Sequence, residues 1–170
     1  RSGAYEATLK GLDSEVEVFC EPCPLLVPLV EDGRFFEGSA VTELLVEEYL
    51  TPLLRQDIAA ENLYVTADES SIYGVFAFIM GEDPTYAHID GAWRDTAAPY
   101  GTIHRIGSDG THRGVLHECV TWCLARTGHL RIDTHADNHV MQRCILREGF
   151  SYCGVIHVAD GTPRVAFERI

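Results

Sequence analysis

Two strand-like apolar runs separated by four polar residues constrain this chain more than any other feature. Residues 62–67 and the nine-residue run Ile72–Met80 flank a polar turn at 68–71, and so short a connection joins strands only as an antiparallel hairpin. Beyond the hairpin, a long loop holding Pro84, Gly91 and Pro99 leads to a predicted strand at 102–106. A glycine-containing loop at 107–114 and a helix at 115–126, stopped by Gly128, follow. Strand Leu130–Thr134, a helix at 139–148 closed by Gly149, and strands at 152–158 and 164–168 around Asp160-Gly161 complete this portion. Upstream, the pattern predicts a short helix over 5–12, a strand at 15–19 and an apolar turn or helix at 25–30 interrupted by Pro28. An amphipathic helix at 41–54 follows, which Pro52 can kink or divide. The expected class is α/β, of mixed α+β character.

A length of 170 residues with 46% hydrophobic side chains suits one compact domain. Folding should bury roughly 70% of the unfolded surface, so a core needs neither disulfides nor a structural metal. The longest apolar runs, such as 75–80, are too short to span a bilayer. No basic opening followed by an apolar stretch reads as an export signal, and a cytoplasmic location is expected. Thirteen basic against 26 acidic side chains give a net charge of −13, which opposes nucleic-acid binding and favours cationic ligands or simple solubility. The six cysteines are expected as free thiols. Cys20-Glu-Pro-Cys23 has the spacing of half a zinc site without a second pair, and Cys119 and Cys123 share one helical face as buried thiols. No metal is expected.

Three blocks carry a resemblance: Gly81-Glu-Asp-Pro-Thr-Tyr86, Tyr100-Gly-Thr-Ile-His-Arg-Ile106 and Leu130-Arg-Ile-Asp-Thr-His-Ala-Asp-Asn138, the last followed by Gly149-Phe150 and Tyr152-Cys-Gly154. Together they resemble the GNAT acyl-CoA N-acyltransferases over nearly two-thirds of the chain. The resemblance implies a central mixed, mostly antiparallel sheet with splayed middle strands and helices on both faces. It also implies acetyl-CoA as cosubstrate. The family's pyrophosphate loop falls here on Gly110-Thr-His-Arg-Gly-Val115, which leads into the helix at 115–126. Helix-start N–H groups bind anions, so the implied cofactor contacts are Gly110, Thr111, His112, Arg113, Gly114 and Val115. Thr111 and Leu116 stand where the family usually has Gln or Arg and a small residue. The resemblance further implies that backbone N–H groups near Ile106 polarise the thioester carbonyl, and that Asn138 engages the pantetheine arm. A helix N-cap is an equally good reading of Asn138. The tyrosine that many relatives carry seven residues later, a proton donor to the thiolate, is replaced by Ile145.

The first portion differs. Ser2-Gly-Ala-Tyr-Glu6, Val16-Glu-Val-Phe19, Cys23-Pro-Leu-Leu-Val-Pro-Leu-Val-Glu31 and Glu48-Tyr-Leu-Thr-Pro-Leu53 are similar to consecutive stretches of glutamate racemase. Neither catalytic cysteine of that family is present, so racemisation is not expected. The chain reads as a hybrid joined between about residues 50 and 57, natural or engineered. In it, residues 1–53 replace the usual first strand and two helices of a single GNAT-like domain over 1–170 whose acyl-CoA-binding core is 55–170. The helix over 5–12 has no counterpart in that order and is expected to be dispensable. Val16, Val18, Leu44 and Leu45 are expected to pack against the remainder, and a homodimer is possible if the substituted segment leaves apolar surface open.

N-acyl transfer needs an unprotonated amine, a polarised carbonyl and a proton for the leaving thiolate. His104 is the candidate base, since an unperturbed imidazole titrates near about pH 6.5; a packed strand histidine is the alternative. Tyr152 is the candidate acid. Asp133 and His135, of equal parity on one strand, are candidates for an oriented pair. Tyr86, Trp93 and Tyr100 read better as core cover than as a pocket floor, and Glu82, Asp83 and Asp90 can attract a cationic acceptor. The expected activity is acetyl transfer from acetyl-CoA to a small amine, the alternative being an idle domain that binds CoA without turnover.

Overall fold

A computed structural model describes residues 5–9, 16–20, 51–68, 71–110 and 112–170. Along the chain these form β1 (Tyr5–Leu9), β2 (Val16–Cys20), α1 (Thr51–Ala59), β3 (Leu63–Ala67) and β4 (Ile72–Met80). A 3-10 turn at Pro84–Tyr86 and the two-residue β5 (Asp90–Gly91) precede β6 (Gly101–Ser108), α2 (Val115–Leu124) and β7 (Leu130–Thr134). The chain ends with α3 (His139–Arg147), β8 (Ser151–His157) and β9 (Pro163–Arg169). The class is mixed α/β with a mostly antiparallel sheet, as the strand and helix periodicities require. The described residues gather into two compact units, one from Arg1–Ala77 and Arg105–Glu118, the other from Phe78–His104 and Cys119–Ile170. Strands β4 and β6 and helix α2 each contribute to both.

In the first unit the strand order is β1-β2-β3-β4-β6. The expected hairpin is present: β3 and β4 pair antiparallel with Tyr64 opposite Phe76, and the two rings stack at 5.4 Å. Its turn is closed by Asp68, whose N–H donates to the Ser71 carbonyl and whose Oδ1 accepts from the Ser71 N–H at 2.9 Å. Helix α1 runs past the expected end at residue 54 and buries Leu54 and Ile58. It also carries Asp57, which grips Arg105 through two bonds of 2.5 and 2.7 Å. Arg105 has φ of 51°, a left-handed conformation in mid-strand that costs a non-glycine residue about 1–2 kcal/mol. The bidentate, half-buried carboxylate pair holds it there.

The helix expected over 5–12 is instead β1, paired antiparallel with β2 through five registered pairs from Tyr5↔Cys20 to Leu9↔Val16. Its sequence alternates Tyr5, Ala7 and Leu9 with Glu6 and Thr8, a period of two that suits a strand. Ladder hydrogen bonds to a neighbouring strand then override the helical propensity of Glu, Ala and Leu. The segments expected at 25–30 and 41–50 lie outside the described residues, as do the side chains of Val16, Val18, Leu44 and Leu45.

In the second unit the order is β4-β6-β7-β9-β8-β5. The parallel pair β6–β7 spans only Gly101↔Leu130, Thr102↔Arg131 and Ile103↔Ile132, whereas β7 pairs with β9 along its whole length. His104 is therefore the first residue of β6 beyond the ladder. Beneath the loop between β4 and β6 lies a buried ionic cluster. Glu168, with no exposed surface, accepts from His129 Nε2 at 2.8 Å, Arg131 Nε at 3.0 Å and the N–H groups of Arg94 and Asp95 at 2.5 and 3.2 Å. The Arg131 guanidinium lies 4.0 Å from the Trp93 ring centre and 3.8 Å from that of Tyr100. Its Nη2 donates to the Asp95 carbonyl at 2.8 Å. Loop residues 93–100 are thus fastened to β7 and β9 by charge, hydrogen bonds and ring faces together.

Two outcomes follow from these contacts. Deleting residues 1–12 removes β1 and bares the edge of β2 to other chains, so the truncated protein is expected to unfold at a lower temperature and to self-associate. Light scattering during a thermal scan checks this; a melt like that of the full chain would show β1 to be dispensable. Burial works against ionisation of Glu168, yet the hydrogen bonds from His129, the Arg94 N–H and Arg131, with the Arg131 charge, hold its carboxyl below the usual range. Its contribution to stability is complete above the unfolded value of about 4.3 and is lost as pH falls through the lower folded value. Glu168→Ala strands Arg131 without its acceptor and is expected to cost about 3–5 kcal/mol in urea unfolding at pH 7. Glu168→Gln is expected to lose less further stability between pH 7 and 3 than the parent does.

Candidate active site

The second unit brings the side chains of Asp83, Tyr86 and Asp133 together around His104. Asp83 arrives from the loop after β4, where it opens the 3-10 turn: its Oδ1 accepts the Thr85 N–H at 2.8 Å, and its own N–H donates to the Tyr100 hydroxyl. Pro84 suits the first position of such a turn because it has no N–H to satisfy. The turn delivers Tyr86 into the interior, 1% exposed, against Ile156 and Ala166. Its ring stacks on Trp93 at 5.5 Å and meets His104 edge-on at 5.6 Å. Trp93 Nε1 donates to the Tyr86 carbonyl, which fixes the stack.

His104 Nε2 lies 2.7 Å from Asp83 Oδ2, and its Nδ1 lies 3.9 Å from Asp133 Oδ1. Asp133, on β7, accepts the Tyr86 hydroxyl at 2.5 Å. The three side chains of His104, Asp83 and Asp133 are each only 11–14% exposed. Burial opposes ionisation of Asp83, but the hydrogen bond and charge of His104 and the Thr85 N–H outweigh it, and its carboxyl sits below the usual range. Burial, followed by the charge and hydrogen bond of Asp133, pushes the Tyr86 hydroxyl well above its ordinary value. Tyr86 is therefore a standing donor to Asp133. In the neutral ring, a proton on Nε2 is used by Asp83 and leaves the Nδ1 lone pair on the Asp133 side. A histidine oriented by a carboxylate on one ring nitrogen has the geometry that general-base chemistry requires.

Sequence reasoning finds His104 and names Asp83, Tyr86 and Asp133 without joining them. The expected Asp133–His135 pair does not form. Asp133 engages Tyr86 and His104, while His135 Nδ1 accepts the Asp137 N–H at 3.4 Å and lies 3.7 Å from the Asp137 carboxylate. Strand β7 ends at Thr134, so the equal parity of residues 133 and 135 no longer holds. Tyr86 and Tyr100 do cover the core, as expected, but the Tyr86 hydroxyl also reaches Asp133. Tyr152 is 57% exposed on β8 with its ring edge-on to Phe167, and among the described residues no hydrogen bond or ion pair ties it to His104. Asn138 caps α3, its Oδ1 accepting the Met141 N–H at 3.1 Å.

The remaining expected residues lie in the first unit. Ile106 sits half-buried in β6, Gly110 and Gly114 have φ of 79° and 89°, and Thr111 lies outside the described residues. His112 stacks on Tyr73 at 4.0 Å and places Nε2 3.1 Å from Asp68 Oδ2; Arg113 is exposed. Val115, buried, begins α2, and the Glu118 N–H bonds back to the Gly114 carbonyl at 3.0 Å. A Cβ on Gly110 or Gly114 would meet nothing within 4 Å. The first N–H groups of α2 follow Gly114, around whose Cβ position there is open space.

Comparison with solved structures places this fold. An acetyltransferase of the GNAT family from Streptococcus agalactiae aligns over 91% of this chain and 95% of its own, with a TM-score of 0.73 at 23% identity. One from Listeria monocytogenes aligns over 97% and 99%, with a TM-score of 0.64 at 16% identity. At such identities the likeness is one of fold. By sequence, the similar curated proteins are glutamate racemases. That of Sulfurihydrogenibium is 43% identical over 58 residues, 34% of this chain and 22% of the racemase. That of Corynebacterium kroppenstedtii is 34% identical over 85 residues, 49% of this chain and 28% of the racemase. The chain spans less than a third of the length of these relatives. No family model matches it.

The dihedral of Gly114 gives that residue a conformational role before any ligand arrives. Gly114→Val is expected to destabilise the ligand-free protein by about 1–2 kcal/mol, because a β-branched side chain is strained at φ of 89° whatever the space around it. Urea unfolding without CoA measures this directly; an unchanged midpoint would mean that the loop relaxes to another conformation.

Proposed function

We propose that this chain, which has the fold of GNAT acetyltransferases, is an acetyl-CoA-dependent N-acetyltransferase acting directly on a small amine. The observation that carries the reading is the Asp83–His104 pair beside Asp133, a half-buried imidazole with one ring nitrogen engaged by a carboxylate. Acetyl-CoA supplies an activated thioester acyl group. The second unit's own residues do the rest: His104 Nδ1 takes a proton from the acceptor. The unprotonated amine nitrogen then forms a bond to the acyl carbon as the carbon–sulfur bond breaks, and the thiolate leaves with the electron pair.

Glutamate racemisation is not proposed: the likeness to the Sulfurihydrogenibium racemase covers 34% of this chain and 22% of that enzyme. A second reading, binding without turnover, is favoured by Ile145. It fills with buried hydrocarbon the place of the family's usual proton donor.

Thiol release from acetyl-CoA over a panel of amines, run beside calorimetry with acetyl-CoA, separates the readings. The expected result is saturable binding with amine-dependent release, and a loss of at least about 10²-fold in kcat for His104→Gln with acetyl-CoA affinity unchanged. Binding without release supports the idle domain. Failure to bind overturns both.

A further inference from the structure

Donors and acceptors do not balance around His104, and the imbalance has a definite chemical complement. Asp83 is engaged through both oxygens within the protein, one on the Thr85 N–H and the other on His104 Nε2. Asp133 is not. Its Oδ1 accepts from Tyr86, and no donor among the described residues reaches its Oδ2. With Nε2 donating to Asp83, His104 Nδ1 is likewise an acceptor, and at 3.9 Å from Asp133 Oδ1 it faces another acceptor rather than a donor. Nδ1 and Oδ1, the latter with a second lone pair beyond the one Tyr86 uses, thus face each other at 3.9 Å without a protein donor between them among the described residues.

A primary alkylammonium group has three N–H donors and no acceptor. Acceptors 3.9 Å apart can both lie within about 3 Å of one nitrogen, the ordinary hydrogen-bond distance. An arylamine, neutral near pH 7, brings fewer donors and no charge to offset the Asp133 carboxylate. The overall charge of −13 draws cations toward such a site.

We propose that Asp133 is the acceptor-selecting residue: its carboxylate anchors the ammonium group of an aliphatic primary amine beside His104 Nδ1 and discriminates against neutral amines. This rests on the transferase reading for its chemical consequence. In the proton-transfer step one ammonium N–H bond breaks and an Nδ1–H bond forms, so the positive charge passes to the imidazole. The resulting imidazolium lies between the Asp83 and Asp133 carboxylates, which stabilise it. The neutral amine is left with its lone pair free. Tyr86 acts as a positioning residue, holding Asp133 through its hydroxyl.

The test uses the full chain with phenethylammonium and its neutral isostere 2-phenylethanol, titrated by calorimetry at pH 7.5 in the wild type and in Asp133→Asn. Asparagine keeps an oxygen for the Tyr86 hydroxyl and removes only the charge. The wild type is expected to bind the ammonium at least tenfold more tightly than the alcohol, and the substitution to erase that preference while leaving alcohol binding as it was. Equal affinities in the wild type, no ammonium binding, or a full preference surviving in Asp133→Asn would each overturn the proposal. Should the variant fail to fold, Asp133→Ser provides the second comparison, and the wild-type preference alone remains able to refute. Thiol release from acetyl-CoA in parallel keeps the two readings apart. Ammonium binding that depends on Asp133 without release removes the transferase reading and leaves the ammonium site. Release indifferent to acceptor charge and to Asp133→Asn removes the ammonium site and leaves the transferase.

Discussion

The buried carboxylate of Glu168 is the interaction on which the second unit depends. A carboxylate without exposed surface is tolerable only when its lone pairs are filled, and here two side chains and two backbone N–H groups fill them. The consequence is positional. Arg131 and Asp133 lie two residues apart on β7, so their side chains point to the same face. Fixing Arg131 between Glu168, Trp93 and Tyr100 therefore fixes the strand that presents Asp133 and the loop that carries Trp93. Trp93 in turn stacks on Tyr86, whose hydroxyl holds Asp133. The site is built by a closed circuit of contacts, each of which also serves the core.

Strand β6 meets two demands at adjacent residues. Up to Ile103 it is an ordinary parallel partner of β7. At Arg105 the backbone turns left-handed and is held by Asp57. His104 follows a residue fixed by sheet pairing, and its ring is directed by the Asp83 bond and the edge contact with Tyr86. Stored backbone strain next to a candidate base is a recurrent arrangement in functional sites.

Much of this was legible in the sequence where periodicity was strong and partners were local. The hairpin at β3–β4 follows from two runs and a polar turn, strand Leu130–Thr134 is found at its observed bounds, and the cap at Asn138 is recognisable from residue type. What was not legible depends on contacts distant in sequence. The segment at 5–12 carries helix-forming residues, and only pairing with β2 makes part of it a strand. The Tyr86–Asp133 bond joins residues 47 positions apart, and neither alone differs from a core tyrosine or a strand-end carboxylate. Asp133 and His135 show the opposite failure: a two-residue spacing implies a pair only while the strand continues, and β7 ends between them. The two resemblances divide in the same way. The racemase likeness is a matter of local sequence over about a third of the chain, whereas the GNAT likeness holds in fold at identities below 25%.

Under the proposed transferase reading, a thioester donor suits a His104 that has no good acid beside it among the described residues. Tyr86 is held protonated too firmly to release its proton, and residue 145 is hydrocarbon within the core. An alkyl thiol, however, has a pKa of about 8.5, near neutrality compared with an alcohol, so its thiolate can depart without being protonated in the same step. An aliphatic ammonium differs: with a pKa of about 10.4 for a lysine-like amine, it is almost wholly protonated at pH 7 and is not a nucleophile until a proton is removed. The greater barrier lies on the acceptor side. The two carboxylates and the tyrosine that the described residues place around one histidine are groups that the proposed aliphatic acceptor would need.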